Sequence, residues 1–116
     1  MNIFDLIDAL GAKNRLQATE LLYKELKTGR DPYYILTMAI YQFRNMLTIK
    51  DLRNRNYSEV EISKKAKLHP FVVKKALKNP FELEEALKTY GKLLAIDTSF
   101  KTGQSDLSNS LYGLVI

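Results

Sequence analysis

The sequence predicts an all-α fold, a single bundle of about seven helices around one long central helix. Three observations carry that prediction. No window sustains the apolar–polar alternation that a half-buried strand needs over its length. The proline and glycine positions punctuate helical patterns instead of interrupting extended ones. Residues 31–55 form a helix too widely apolar to lie on a surface with one face wet.

That central helix opens with Asp31 as cap and Pro32 at the first helical position, where a missing N–H costs nothing. Its apolar residues run in two overlapping rows, Leu36, Ile40, Phe43, Leu47 and Ile35, Met38, Ala39, Met46, Ile49. Polar residues return at Lys50, Asp51, Arg53, Asn54 and Arg55, so its last turns are expected in solvent. Ahead of it, Asn2 can cap a short helix with Ile3, Phe4, Leu6, Ile7 and Leu10 largely on one side, ending near Gly11. A second helix begins at the cap Asn14 and runs through Leu16, Ala18, Leu21, Leu22 and Leu26 to Gly29. Its Glu20 and Lys24 have the favourable i, i+4 order. The tight connection to Asp31-Pro32 predicts that this helix packs against the central one.

Beyond the central helix, Ser58 and Glu61 form a capping box. The helix they open is expected to bury Val60, Ile62 and Ala66. Leu68-His69-Pro70 breaks it, and Pro70 starts another with Phe71, Val72, Val73, Ala76 and Leu77. Asn79-Pro80 repeats the device and begins a longer helix through Phe81, Leu83, Ala86, Leu87, Tyr90, Leu93, Leu94 and Ile96. Gly91 weakens that helix by about 1 kcal/mol relative to alanine, which predicts close packing or a slight bend there. Lys101-Thr102-Gly103 ends it. Residues 105–116 read as a final helix with Leu107, Leu111, Tyr112, Leu114 and Val115 inward.

The 116 residues suffice for one domain with a genuine core, and residues 1–116 are read as one unit without repeat or linker. No cysteine is present, which excludes a disulfide framework and a cysteine-based zinc site and fits a cytoplasmic setting. No segment approaches a membrane span, and the first residues lack a secretory leader's pattern. The formal charge of +5 favours acidic partners, nucleic acid among them.

Catalytic chemistry is not legible. The isolated glycines assemble neither a Walker motif nor a dinucleotide fingerprint, so no nucleotide cofactor is expected. His69 has no carboxylate partner or nucleophile in sequence reach and reads as a cap for the helix starting at Pro70. Glu82, Glu84 and Glu85 suit the positive end of a helix dipole. Asp5 and Asp8, three apart, lack a third ligand for a metal. The seven tyrosines are compatible with base stacking, although Tyr33 and Tyr34 read first as a packing pair. Residues 57–78 have the outline of a helix-turn-helix with a local excess of lysine. The early positions of its second helix, Pro70, Phe71, Val72 and Val73, offer no hydrogen-bonding side chain, so a sequence-specific repressor is not expected. Lys64, Lys65, Lys74 and Lys75 can still contact phosphates, against the simpler reading of a solvated face.

Taken together, Ile40-Tyr41-Gln42-Phe43-Arg44, the Ser58 capping-box helix, Leu68-His69-Pro70-Phe71-Val72-Val73-Lys74-Lys75-Ala76 and Ala95-Ile96-Asp97-Thr98-Ser99-Phe100-Lys101-Thr102-Gly103 resemble the C-terminal part of the delta subunit of bacterial DNA polymerase III. The resemblance implies a place in the clamp loader, which opens the sliding clamp and closes it around primed DNA. In that family the N-terminal region is AAA+-like and contacts the clamp, while the C-terminal bundle joins equivalent domains in a closed collar. This chain would be the collar portion alone, a fragment or a short natural homologue. It would be non-catalytic, as complete delta subunits do not hydrolyse ATP. Its implied partners are the other clamp-loader subunits, delta-prime and gamma/tau, with the sliding clamp reached only through regions absent here and DNA contacted weakly. A collar domain must hold neighbours on two sides, and the candidates for that contact are Tyr33, Tyr34, Leu111, Tyr112, Leu114, Val115 and Ile116. The other reading of the C-terminal residues, completion of the bundle's own core, stays open.

Overall fold

The computed structural model describes the backbone of residues 3–115 and the side chains of residues 5–115. Among them it is all-helical, with α1 (Ile3–Gly11), α2 (Arg15–Lys27), α3 (Pro32–Asn54), α4 (Glu59–Ala66), α5 (Pro70–Lys78), α6 (Leu83–Lys101) and α7 (Leu107–Val115). Asn2, Ile116 and the side chains of Ile3 and Phe4, all named in the sequence reading, lie outside these described parts.

The helix starts follow local chemistry. The Asp31 carboxylate accepts from Tyr33 N at 2.9 Å ahead of Pro32. Asn14 Oδ1 accepts from Gln17 N at 3.2 Å. The Ser58–Glu61 box is complete, with Glu61 N donating to Ser58 Oγ at 3.2 Å and Ser58 N to Glu61 Oε1 at 3.0 Å. Those bonds to Ser58 hold the Glu61 carboxyl below its usual range. Gly103, at φ +72, turns the chain out of α6.

Helix α3 is central: α1, α4, α5, α6 and α7 all pack on it, α6 most extensively. Its Ile35, Leu36, Ala39, Phe43 and Met46 form the middle of the main core with Leu6, Leu22, Leu93, Leu107 and Leu111. Phe43 is buried edge-on to Phe81, with ring centroids 5.1 Å apart. A fully buried side chain of this size contributes about 1.5–3 kcal/mol.

Several expectations are corrected. Helix α2 packs chiefly on α1 and α7 and less on α3, which it meets through Leu22 in the main core shared with Ile35 and Ala39. Gly29 (φ +94) reverses the chain between α2 and α3, and the half-exposed Arg30 pairs its Nε with the buried Glu25 Oε2 at 2.9 Å across that turn. The end of α3 emerges into solvent at Arg53, Asn54 and Arg55 as expected, but the turn before them does not. Ile49 builds a second small core with Ile62 and Val73, bordered by Leu52, Tyr57, Leu68 and Leu77. Lys50 Nζ, half-buried, donates to the carbonyls of Asn79 and Phe81, and burial lowers its pKa. Helix α6 starts at Leu83, after Asn79-Pro80, because Asn79 Oδ1 accepts from Phe81 N at 3.1 Å in a separate turn that delivers Phe81 to the core. Val60 is exposed, since α4 is short and only Ile62 faces the second core. Gly91 is not closely packed: a Cβ there would meet nothing within 4 Å.

Candidate functional site

The motifs that carry the family resemblance turn out to be joints of the scaffold. In Gln42-Phe43-Arg44, Phe43 sits in the core, Arg44 Nε donates to Tyr90 Oη at 3.2 Å, and Gln42 lies against Gly11, where a Cβ would come within 2.6 Å of its Nε2. His69 Nδ1 accepts from Phe71 N at 3.0 Å, so the imidazole caps α5 as expected for a residue before Pro70. Asp97 pairs with Lys101 at 3.0 Å along α6. The Asp97 carboxylate, with help from the Tyr33 hydroxyl, raises the Lys101 pKa. Among the described residues no group of three or more His, Cys, Asp or Glu side chains is placed to hold a metal.

The expected contact residues divide into three groups. Leu111 and Val115 are core residues, 2 % and 5 % exposed. They cannot offer a side chain to a neighbour without opening the bundle, which corrects their assignment. Tyr112 and Leu114 are half-buried at the edge of the same core. Tyr33 is also half-buried, its ring 5.4 Å from that of Phe100 and near Lys101, so it serves mainly to pack the end of α6 on α3. Tyr34 remains open, with the Arg30 guanidinium 5.5 Å from its ring centroid.

Exposed apolar residues lie where the sequence reading did not put them. On α6, Leu87 and Leu94 are 59 % and 40 % exposed, seven residues apart on one side, with Gly91 and Ala95 between and beside them. Leu87 also borders an open groove with Leu47, Leu52 and Leu83. The signal was present in the leucine spacing. Ala86 and Leu93 already fill the core-facing row, so Leu87 and Leu94, about 100° around the helix, had to face elsewhere. On α5, Phe71 and Val72 are likewise open and line a second groove with Met38 and Tyr41.

The α4–α5 lysines are less uniformly available than their number suggests. Lys75 Nζ pairs with Asp8 at 2.7 Å, and Lys65 Nζ sits 4.8 Å from the Tyr57 ring centroid. Lys64 and Lys74 are exposed. The helix-turn-helix outline is present, and Ile62 and Val73 hold its two helices together.

These features define a helical bundle domain whose central helix is wrapped on most sides and whose outer helices leave apolar residues uncovered. The sequence model for the DNA polymerase III delta subunit, C-terminal domain, matches residues 1–116, and the chain belongs to that family. It is similar to the DNA polymerase III subunit delta of Bacillus subtilis (strain 168), with 33% identity over 73 residues, covering 63% of this chain and 21% of that protein. The fold is similar to the solved Bacillus subtilis DNA clamp loader delta protein (YqeN), with a TM-score of 0.85 and 30% identity. That match covers 97% of this chain and 34% of the solved one, so the chain spans about a third of that relative's length.

Proposed function

We propose that this chain is the assembly domain of a clamp-loader delta subunit, joining the equivalent domains of its partners, delta-prime and gamma/tau, into a collar that supports clamp loading in replication. On this reading it is non-catalytic and cytoplasmic, and it needs no cofactor. The observation that carries the reading is the similarity of fold to the clamp loader delta protein over 97% of the chain. It is supported by apolar residues at Leu87 and Leu94 that the bundle leaves uncovered, as a domain made to be held by neighbours would. Tyr34 and the edge residues Tyr112 and Leu114 extend the candidate contact surface, and Tyr33 backs it.

The test is size-exclusion chromatography with light scattering of this chain mixed with the other clamp-loader subunits of its organism. A stable mixed complex is expected, and Leu87→Glu/Leu94→Glu is expected to weaken it while leaving the thermal melt of the isolated chain nearly unchanged. No complex would refute the proposal.

A second reading rests on the exposed Lys64 and Lys74 of the helix-turn-helix outline, which with Lys65 and Lys75 could hold phosphates. It predicts retention on a primed duplex that falls steeply with salt, as counterion release requires, and that is lost on charge reversal at those four lysines.

A further inference from the structure

A cleft of about 360 Å³ opens between the α1–α2 turn, one side of α6 and the end of α7, and no α4–α5 lysine lines it among the described residues. Its floor is apolar, made by Leu10, Ala18, Phe43, Phe81 and Leu114. Its rim carries Lys13 on the turn, Arg15 at the start of α2, and Lys88 and Lys92 one turn apart along α6. Among the described residues the one carboxylate in the lining, Glu85, is already engaged by Lys13 at 2.6 Å, which bridges the two walls and pulls the Glu85 pKa down. Among the described residues Lys88 and Lys92 take part in no ion pair and are exposed. The Lys88 and Lys92 ammonium groups therefore face solvent above an apolar floor.

Like charges held together in this way repel one another, and an anionic occupant relieves the repulsion. The floor selects among anions. A nucleic-acid strand binds by backbone charge and by stacking bases on open aromatic faces. Here Phe43 is 1 % exposed and Lys13 Nζ lies over the Phe81 ring at 5.0 Å, so neither ring is free to stack. An apolar side chain can enter the floor instead, while carboxylates beside it reach the rim. The volume is at the small end of the range for ligand clefts, about 300–1,000 Å³, and fits a few side chains rather than a helix.

We propose that this cleft docks an acidic peptide segment of a partner protein, one that carries an apolar residue between its carboxylates. Lys88 and Lys92 attract and orient the carboxylates, and the floor between α1, α6 and α7 takes the apolar side chain.

The test is fluorescence anisotropy on the 116-residue chain with a fluorescein-labelled peptide in which aspartates flank a central Leu-Phe pair. Three comparison probes accompany it: the same peptide with asparagine for aspartate, the same peptide with Ser-Ser for Leu-Phe, and an oligothymidylate of similar charge. Saturable binding of the parent peptide is expected, with loss for both altered peptides. Lys88→Glu/Lys92→Glu should weaken binding at least about tenfold, as charge reversal at a complementary interface does, and Lys64→Glu/Lys74→Glu on the other basic face should leave it unchanged. Both cleft lysines are exposed, and the milder Lys88→Gln/Lys92→Gln should rank between wild type and the reversal, which separates lost binding from lost folding. No saturable binding, indifference to the Lys88 and Lys92 changes, or tighter binding of the oligothymidylate through the same lysines would each overturn the proposal.

Discussion

Gly91→Ala offers a sharp test of how α6 is built and used. Gly91 lies well inside the helix Leu83–Lys101, its φ is not in the left-handed region, and a Cβ added there would meet nothing within 4 Å. Two terms that usually oppose such a substitution, steric clash and backbone strain, are therefore absent. What remains is intrinsic: glycine in a helix interior is about 1 kcal/mol less favourable than alanine, because its unfolded backbone has more freedom to lose. Unfolding entropy is about 2.1 cal/mol/K per residue, or about 0.24 kcal/mol/K for a chain this long, so the gain corresponds to a rise in Tm of about 4 °C. Differential scanning calorimetry of the isolated chain reads it. Gly103→Ala serves as the matched control, since φ +72 makes any Cβ strained there; it should lower Tm by a similar amount. On the proposed assembly role, a neighbour packed closely on Leu87 and Leu94 would meet the added methyl at Gly91 between them, so the more stable variant should then assemble less well. A Tm for Gly91→Ala that is unchanged or lower would refute the account of an open, regular helix at this position.

Three further outcomes follow from the packing and the titrating groups. Arg30→Ala should destabilise the chain by about 3 kcal/mol in urea unfolding, because it strands the Glu25 carboxylate, only 4 % exposed, without its partner; Glu25→Gln should cost less, since Arg30 can still reach water. Ile62→Ala should cost about 2–4 kcal/mol, concentrated in α4 and α5, so hydrogen exchange should speed up there while the amides around Phe43 keep their protection. Glu61 and Glu85 both have pKa values lowered from 4.5 in the fold, so their stabilisation is present above pH 4.5 and is lost as pH falls through their folded values. Glu61→Gln and Glu85→Gln should each flatten the acid limb of the stability–pH curve, and Glu61→Gln should keep much of its cap because glutamine also completes a capping box.

Much of the architecture was legible because its signals are local. Asp31 with Pro32, Ser58 with Glu61 and His69 with Pro70 each act within one helical turn, so their pattern in the chain is already the geometry of the cap. The breadth of the apolar arc on α3 likewise required a helix surrounded by others. The end of α4 was legible too, near Lys67 and ahead of Leu68-His69-Pro70, although Lys67 takes the left-handed conformation (φ 56) that a glycine usually marks.

By itself the sequence determined the helical class, most helix starts, the centrality of α3 and the family motifs, because each depends on spacings of a few residues. Only the tertiary structure decided which apolar residues were buried. Short helices such as α4 and α5 carry apolar residues on more than one side, and burial goes to Ile62 and Val73, leaving Val60 and Phe71 open, because Ile49 stands opposite the first pair. The same closure put Leu111 and Val115 in the core and set α2 against α1 and α7. It also brought Lys13 and Arg15 beside Lys88 and Lys92 across more than seventy residues of chain. Such juxtapositions depend on how all the helices settle together, and no local spacing encodes them.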